Sequence, residues 1–208
     1  MEEIKWLGHA GFKIKGRGKV IYIDPVGIDC PESADFIFIT HSHESHFSID
    51  DLKKISLEKT NIYAPADCIP ALEWFPGWAI EVEPGGIYQA GIFSVTAIPA
   101  YSMSGKRHPR EMGWVGYIID FGDMRIYHAG DTDLTPEMKE IEKLDYAFLP
   151  VSGEGVMDAE NAAKASAIIK PVLSIPMHYG TKSGSINDAE TFKERTPGAV
   201  RILKKGCP

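Results

Sequence analysis

Cysteine is scarce in this sequence, and its copies are scattered. Cys30, Cys68 and Cys207 are odd in number, and none has a second cysteine at the spacing of a metal-binding pair. These features argue against a small disulfide-stabilised scaffold and against a cysteine-based zinc module. The pattern predicts reduced thiols, as is typical of a cytoplasmic protein.

Long apolar runs and an excess of basic residues are also missing. No stretch reaches the roughly 20 apolar residues of a membrane-spanning helix, so we expect no membrane insertion. The first residues, MEEIKWLGH, lack a basic segment followed by an apolar one, so we expect no signal peptide. The 22 Lys and Arg stand against 29 Asp and Glu, for a formal net charge of -7. This balance argues against long nucleic acid as a partner. The sequence does not determine the oligomeric state, and a homo-oligomer is possible.

The remaining composition is that of a globular protein. The chain has 208 residues, 44% of them hydrophobic, which predicts one domain over residues 1–208. Short strands punctuated by glycine are expected first, and strand–helix units follow in each half. The patterns also predict a helix over 66–75, a helix entered through Pro136, and a last strand over 200–203.

The most informative stretch is Thr40 to Ser48, THSHESHFS, which follows an apolar strand over 36–39. His41 and His43 are two residues apart, so in an extended chain their side chains point the same way. His46 follows after a short bend. Neutral imidazoles at this density suit a divalent metal such as zinc, whereas a solvated histidine-rich loop is the simpler alternative.

Two later strands also end in ligand-type residues. Asp131 lies in YHAGDTD, and His178 lies in IPMHYG. Each alone is ordinary, since aspartate is common in turns and histidine at strand ends. Sites gather at such edges in sandwiched α/β sheets, so the combination with the histidine stretch predicts a metal site.

Two residues near the N-terminus admit more than one interpretation. Asp24 closes the third strand and precedes Pro25. It is either a turn carboxylate that accepts nearby amides or an acceptor behind the metal ligands, with equal weight. His9, in GHAGF, is by itself a turn histidine.

Together, these motifs resemble those of the metallo-beta-lactamase superfamily. THSHESH is similar to its HxHxDH motif, YHAGDTD to its later strand-end aspartate and IPMHYG to its final histidine. With GHAGF and IDP, the sequence most resembles a branch of small metal-dependent hydrolases of the ascorbate-phosphate lactonase type. The resemblance spans His9 to Gly180 and implies an α/β fold, the four-layer αββα sandwich with a metal site at one edge.

The resemblance also implies a set of metal ligands. His41, His43 and a histidine from the middle of the chain would hold one divalent metal. His46 and His178 would hold a second, and Asp131 would bridge the two. The metal would be zinc, with manganese or iron as alternatives and one or two ions per chain.

The sequence departs from the family pattern in two places. Ser45 replaces the motif's aspartate, and serine is a poor metal ligand; Glu44 reaches further but leaves the strand end in another direction. A histidine often follows the position of Pro99-Ala100, where this chain has Tyr101. His108 is the nearby histidine and is assigned the ligand role, against the alternative of an exposed histidine in a mobile basic loop.

The implied reaction is metal-assisted hydrolysis. Metal-bound hydroxide would attack a carbonyl or phosphoryl centre of a small, anionic ester, lactone or phosphodiester. His9 or Tyr101 would donate a hydrogen bond or proton to the developing oxyanion, and Asp24 would complete the catalytic group behind the ligands. The anionic part would bind a basic loop that carries Lys106, Arg107 and Arg110. The equally weighted alternative is that these three charges are only solvated.

Two other functions are compatible with such a site. A non-hydrolytic metal-binding or ligand-sensing domain would fit a second metal position weakened by Ser45. An oxidoreductase with a di-iron centre on the same fold would prefer more carboxylates than this histidine-rich stretch offers.

Overall fold

The computed structural model describes residues 3–180 and 183–206, and its strands form two sheets of six strands each. The first sheet contains, in sequence order, β1 (Glu3–Gly8), β2 (Gly11–Gly16), β3 (Lys19–Ile23), β4 (Phe36–Phe38), β5 (Asn61–Pro65) and β6 (Trp78–Val82). The second contains β7 (Ile87–Ala90), β8 (Phe93–Pro99), β9 (Val115–Asp120), β10 (Arg125–His128), β11 (Tyr146–Pro150) and β12 (Leu173–Met177). The α-helices are α1 (Ile49–Ile55), α2 (Ala159–Ile169) and α3 (Ile186–Arg195).

The two sheets share one strand pattern. In the first, β1 to β3 pair antiparallel, and β3 to β6 pair parallel. In the second, β7 to β10 pair antiparallel, and β10 to β12 pair parallel. The predicted likeness of the two halves is therefore confirmed. Its consequence is that the carboxyl ends of parallel strands from both sheets are available for one site.

The main core lies between the sheets. The Phe12 and Phe148 rings, one from each sheet, stack with centroids 4.1 Å apart. On β4, Phe36 and Phe38 face this core, whereas Ile37 faces a second cluster that contains Leu52 of α1. This alternation explains why β4 is apolar throughout, because a sheet covered on both faces needs no polar side. With α2 and α3 beside the second sheet, the layers form the predicted αββα sandwich.

The first helix is held at its start by two acidic or polar side chains. Ser48 is the N-cap of α1, and its hydroxyl accepts the Asp51 N–H at 3.3 Å. The Asp51 carboxylate in turn accepts the backbone N–H groups of Gly27 and Ile28, at 2.9 and 3.3 Å. The helix is thus tied to the loop that leaves β3.

Three predicted elements are shorter than expected. The helix over 66–75 is only a 3-10 turn at Ile69–Leu72, because Pro70 lacks the N–H that a longer α-helix needs. The helix entered through Pro136 is also a 3-10 turn, Pro136–Glu140. The last strand over 200–203 reduces to a single bridge between Ser174 and Val200, because the terminal segment runs beside β12 for only one residue pair.

The cysteines correct one expectation. Cys68 is a buried free thiol, as predicted, but Cys30 is disulfide-bonded, and Cys207 lies outside the described residues. A disulfide requires two cysteines to approach in space with a specific geometry, so spacing along the sequence alone does not reveal it. No helix in the described ranges combines the length and apolar character needed to cross a membrane. A cytoplasmic location stays a prediction.

Candidate metal centre

The candidate site lies where strands of both sheets end. The histidine stretch follows β4, Asp131 follows β10, His178 follows β12 and Asp24 follows β3. His9 occupies the turn between β1 and β2, next to the end of β3, because β2 and β3 are antiparallel. The topology therefore brings residues from position 9 to position 178 to one edge of the sandwich.

The Asp131 carboxylate is the centre of the arrangement. Its Oδ2 lies 3.2 Å from His108 Nε2, 3.1 Å from His178 Nε2 and 3.7 Å from His41 Nε2. Its Oδ1 lies 3.3 Å from His46 Nε2. One buried carboxylate thus faces imidazole nitrogens from four different positions in the chain.

The ligand-type residues form overlapping groups. In each group, one nitrogen or carboxylate oxygen per residue lies within 4.8 Å of those of the other members. The first group consists of His41, His43, His108 and Asp131. The second consists of His9, His46 and His178, and a third group, deeper in the protein, of Asp24, His41 and His46.

Asp24 orients two of the inward-facing imidazoles. Its Oδ2 accepts the His46 Nδ1–H at 2.7 Å and the Thr40 hydroxyl at 2.7 Å. Because the Thr40 hydroxyl donates to Asp24, it is free to accept the His41 Nδ1–H, at 2.9 Å. Both rings are thereby held with Nε2 directed toward Asp131. Of the two interpretations of Asp24, this geometry favours the acceptor behind the ligands.

The other two rings are anchored in the same manner. The His108 Nδ1–H donates to the Gly155 carbonyl at 2.8 Å. His178 Nδ1 lies 2.9 Å from the Ser152 hydroxyl and 3.1 Å from the Ser183 hydroxyl. Imidazoles whose Nδ1 is fixed by the protein and whose Nε2 points to a shared centre are typical of metal ligands. The residues present therefore fit a divalent metal.

Burial and neighbouring charges set the protonation of these groups. Burial lowers the pKa of His41 well below its usual value, and burial followed by repulsion from His108 lowers the pKa of His43. These imidazoles are neutral at pH 7, the form that binds metals.

The carboxylates act in the opposite direction. Burial disfavours a charged His46, but the Asp131 and Asp24 carboxylates outweigh it and raise the pKa of His46 to about 10. Burial likewise disfavours a charged Asp131, yet His46 and His178 hold the pKa of that carboxyl well below its usual range. The centre thus already holds a positive charge on His46, which a bound cation can replace.

Unusual backbone φ angles occur at the same edge of the sandwich. His9, Asp24 and His178 all adopt left-handed φ angles, of 51°, 46° and 61°. Non-glycine residues rarely adopt this region, and such residues cluster at functional sites.

Comparison with known proteins agrees with this geometry. A family model described as a beta-lactamase superfamily domain matches residues 3–178. The chain belongs to the metallo-beta-lactamase superfamily. A UPF0173 metal-dependent hydrolase of Aeropyrum pernix is 34% identical, over 99% of this chain and 96% of its own length. A second UPF0173 metal-dependent hydrolase, from Nanoarchaeum equitans, is 35% identical over 93% of this chain and 91% of its own length.

A solved structure supports the same assignment. The crystal structure of a protein assigned as a metal-dependent hydrolase from Parabacteroides distasonis superposes with a TM-score of 0.84 at 30% identity. The match covers 97% of this chain and 93% of that one. This chain is therefore a metal-dependent hydrolase of the metallo-beta-lactamase type.

Within this superfamily member, the loop after β8 supplies the middle histidine. His108 is 3% exposed, and its carbonyl accepts the Ser102 N–H at 2.8 Å. The structure therefore places His108 in the first group, not in an exposed mobile loop. Tyr101 is not brought to the centre: its hydroxyl donates to Glu137 at 3.0 Å, and the Arg110 guanidinium lies over its ring.

The position of the missing aspartate is open toward the centre. Ser45 is half-buried and lines a cavity of about 160 Å³ beside His9, His43 and Asp131. Glu44 is exposed and belongs to none of the described ligand groups. The geometry thus gives no sign that Glu44 compensates for the lost carboxylate.

The sequence analysis did not identify some residues that contact the centre. The Trp114 ring lies 5.0 Å from the His41 ring and 4.8 Å from the His43 ring, and its Nε1–H donates to Asp67 at 2.8 Å. Thr40, immediately before His41, could have been noticed as a hydroxyl at a strand end. The anchors of His178, Ser152 and Ser183, are ordinary loop serines that no pattern distinguishes.

Proposed function

We propose that this hydrolase cleaves a small, anionic ester, lactone or phosphodiester, with two zinc ions held at the Asp131 centre. His41, His43 and His108 would hold one ion, His46 and His178 would hold the other, and Asp131 would be shared. The single observation that carries this proposal is that Asp131 contacts imidazoles of both groups, through Oδ2 and Oδ1.

The chain's own residues have distinct tasks in this reaction. A bound divalent metal supplies a water of lowered pKa and polarises the oxygen of the scissile group. Asp24 and Thr40 keep the imidazoles in the required orientation, so that no reorganisation is needed during the reaction. The burial of Asp131 and His46 excludes bulk water and strengthens the electrostatic interactions of the centre.

The guanidinium of Arg107 favours an anionic substrate, although the lining also contains the carboxylates of Asp131 and Glu154. Arg107 lines the cavity, and its Nη1–H donates to the Glu154 carbonyl at 3.0 Å. Arg110 is instead paired with Glu137 at 2.7 Å, and Lys106 is exposed outside the lining. Among the described lining residues, Arg107 is the one lysine or arginine. A guanidinium at this position can bind a phosphate or carboxylate in a bidentate manner.

The size of the cavity favours a small substrate. Its volume of about 160 Å³ is smaller than a typical drug-sized pocket. Only the reacting end of a substrate and its anionic group fit beside the histidines. With one basic side chain at the cavity, a long nucleic acid would lack the positively charged track that such polymers require.

The test uses zinc-loaded protein with three probes: bis(p-nitrophenyl) phosphate, p-nitrophenyl acetate and a homoserine lactone carrying a succinyl group. We expect turnover of at least one anionic probe. Arg107→Ala should raise KM for that probe about tenfold and leave KM for the neutral ester unchanged. Lys106→Ala, in the same loop, is the matched control. No turnover of any probe, or equal effects of both substitutions, would contradict the proposal.

A further inference from the structure

The second ligand group contains a residue that the superfamily motifs do not assign. We propose that His9 is a direct ligand of the second metal position, together with His46 and His178. Beside His46, His178 and the shared Asp131, it supplies the fourth donor, which the motif's aspartate would provide if Ser45 had not replaced it. This inference rests on the two-metal centre of the proposed function.

The backbone holds His9 at the centre. The His9 carbonyl accepts the Trp6 indole N–H at 2.9 Å and the His178 backbone N–H at 2.8 Å. The turn of the first sheet is thereby joined to the loop that carries His178 in the second. The φ angle of His9 is 51°, which is less favourable for histidine than for glycine. A position that served only as a turn would favour glycine.

The side chain continues this placement. The His9 ring is buried, with its centroid 3.9 Å from that of His178 and 5.2 Å from that of His46. The nearest donor atoms of all three imidazoles lie within 4.8 Å of one another. The three residues come from three separate loops, as the ligands of a closed metal site commonly do.

The serine at position 45 leaves the second metal position without one of its usual donors. Ser45 lines the same cavity as His9, but its neutral hydroxyl is a poor ligand for zinc. An imidazole restores the number of donors without restoring the negative charge. The second position is therefore more positive by one charge than with an aspartate, which favours the anionic substrates inferred from Arg107.

A competing role is that His9 only orients the site or donates a proton. Removing a residue that orients a ligand typically costs about 10–100-fold in metal affinity. Removing a ligand should cost more, and the loss should be confined to one of two ions. Metal stoichiometry and affinity therefore separate the two roles without any activity measurement.

The experiment compares four proteins: wild type, His9→Asn, Ser45→Asp and the double variant. Asparagine tolerates the left-handed backbone at position 9, so this change removes the imidazole without adding strain. Zinc per chain is measured by elemental analysis after equilibration with a competing chelator. We expect two ions in the wild type, and one in His9→Asn with the second bound more than about 100-fold more weakly.

The double variant provides the decisive comparison. If His9 stands in for the missing carboxylate, Ser45→Asp in the His9→Asn background restores the second ion. Two ions of unchanged affinity in His9→Asn, or a wild type that binds one ion, would overturn the proposal. Loss of the second ion without rescue would also overturn it, since His9 would then act by some means other than as a donor.

A measurement on the unmutated protein covers the case in which the variants do not fold. With ¹¹³Cd in place of zinc and ¹⁵N in the histidines, a bound imidazole nitrogen shows a coupling to cadmium. The coupling is expected at His9 as well as at His178, and its presence at His178 alone overturns the assignment. Two bound ions with no turnover of any probe would refute the proposed substrate class and leave the role of His9 intact.

Discussion

Asp24 shows how a single buried carboxylate can govern a site that it does not enter. It accepts hydrogen bonds from His46 and Thr40, and Thr40 accepts from His41, so one side chain fixes two imidazoles. Neither ring can rotate its Nε2 away from Asp131 without breaking this network. The orientation of the centre therefore depends on the charge of Asp24 as much as on its shape.

We expect Asp24→Asn to weaken zinc binding by about 10–100-fold while the fold is retained. Asparagine tolerates the left-handed backbone at this position, but its neutral amide accepts the His46 Nδ1–H less well. Competition with a coloured chelator measures the affinity. Asp35→Asn is the control, because Asp35 accepts from Lys19 and Val20 at the other end of β3. An equal loss in both variants would speak against a specific role for Asp24.

At the scale of residues, the sequence predicted the histidines and the aspartate of the centre but not the serines that anchor them. His41, His43, His46, Asp131 and His178 follow strands in recognisable motifs, and the structure brings all of them together. The anchoring serines could not be predicted, because they matter only through contacts between distant loops. For the same reason, the sequence could not show that Glu137 engages the Tyr101 hydroxyl.

At the scale of elements, the strands depend on one close approach near the site. Gly116 in β9 has no room for a side chain, since a Cβ there would lie 2.5 Å from the His128 carbonyl oxygen and 2.6 Å from that of Ala129. Both oxygens belong to the backbone that leads to Asp131. The loop that carries the central carboxylate is thus positioned by direct backbone packing against β9.

Gly116→Ala should lower the free energy of unfolding by about 1–3 kcal/mol or more, because β9 and the end of β10 must separate. Urea denaturation measures the change. Gly198→Ala is the matched control, since a Cβ at that position meets no atom within 4 Å. A Gly116 variant as stable as the Gly198 variant would show that the strand end shifts without cost.

Helix α1 offers a pH-dependent test. The pKa of Asp51 is lowered: burial raises it, but the hydrogen bonds from Lys54 and Gly27 outweigh burial. A carboxyl group with a folded pKa below its unfolded value of about 3.9 stabilises the protein above that pH, and the effect is lost as pH falls. Asp51→Asn should therefore cost about 1–2 kcal/mol at pH 7 and less at pH 3, where the loss of this stabilisation has begun.

The control for this test is Asp50→Asn, which changes an exposed carboxylate on the same helix. Its effect on the free energy of unfolding should be small at both pH values. A constant difference between the Asp51 variant and the wild type across pH would contradict the charge-based explanation.

Most elements were predictable from the sequence because their patterns are local. The apolar strand over 36–39 depends only on neighbouring residues, and the structure confirms it as β4. The segment over 66–75 was predicted wrongly because its apolar spacing suggested a helix that Pro70 prevents. The terminal segment over 200–203 has strand-like residues, but only tertiary pairing decides whether a strand forms.

At the scale of the whole molecule, the centre joins the two sheets. The histidine stretch and Asp24 belong to the first sheet, whereas Asp131 and His178 belong to the second. A ligand shared across this boundary binds the folded protein and not the unfolded chain. Metal binding is therefore expected to stabilise the packing of one sheet on the other.

Removal of metal with a chelator should lower Tm by about 5–10 °C for each ion lost, if each contributes roughly 2–3 kcal/mol. Differential scanning calorimetry before and after chelation measures the change, and added zinc should reverse it. The matched variant is His178→Asn, which keeps the left-handed backbone and should show a smaller decrease on chelation. A Tm that does not respond to the chelator would contradict the stabilising role of the metal.

The overall architecture was more predictable than the details of the centre. The αββα sandwich followed from motifs that resemble a known family, and the structure and the comparisons confirm it. The disulfide at Cys30 was not foreseen, because the cysteine spacing showed no pairing. The extent of the domain, the identity of the metal and the substrate stay predictions.

The order of these residues along the chain has a consequence for biosynthesis. The first histidines emerge from the ribosome early, but His178 follows β12, the last strand. Until that strand has been made, a nascent chain offers imidazoles without the set that encloses an ion. Truncated products should therefore release metal readily, and tight retention would mark only chains whose synthesis and folding have passed β12.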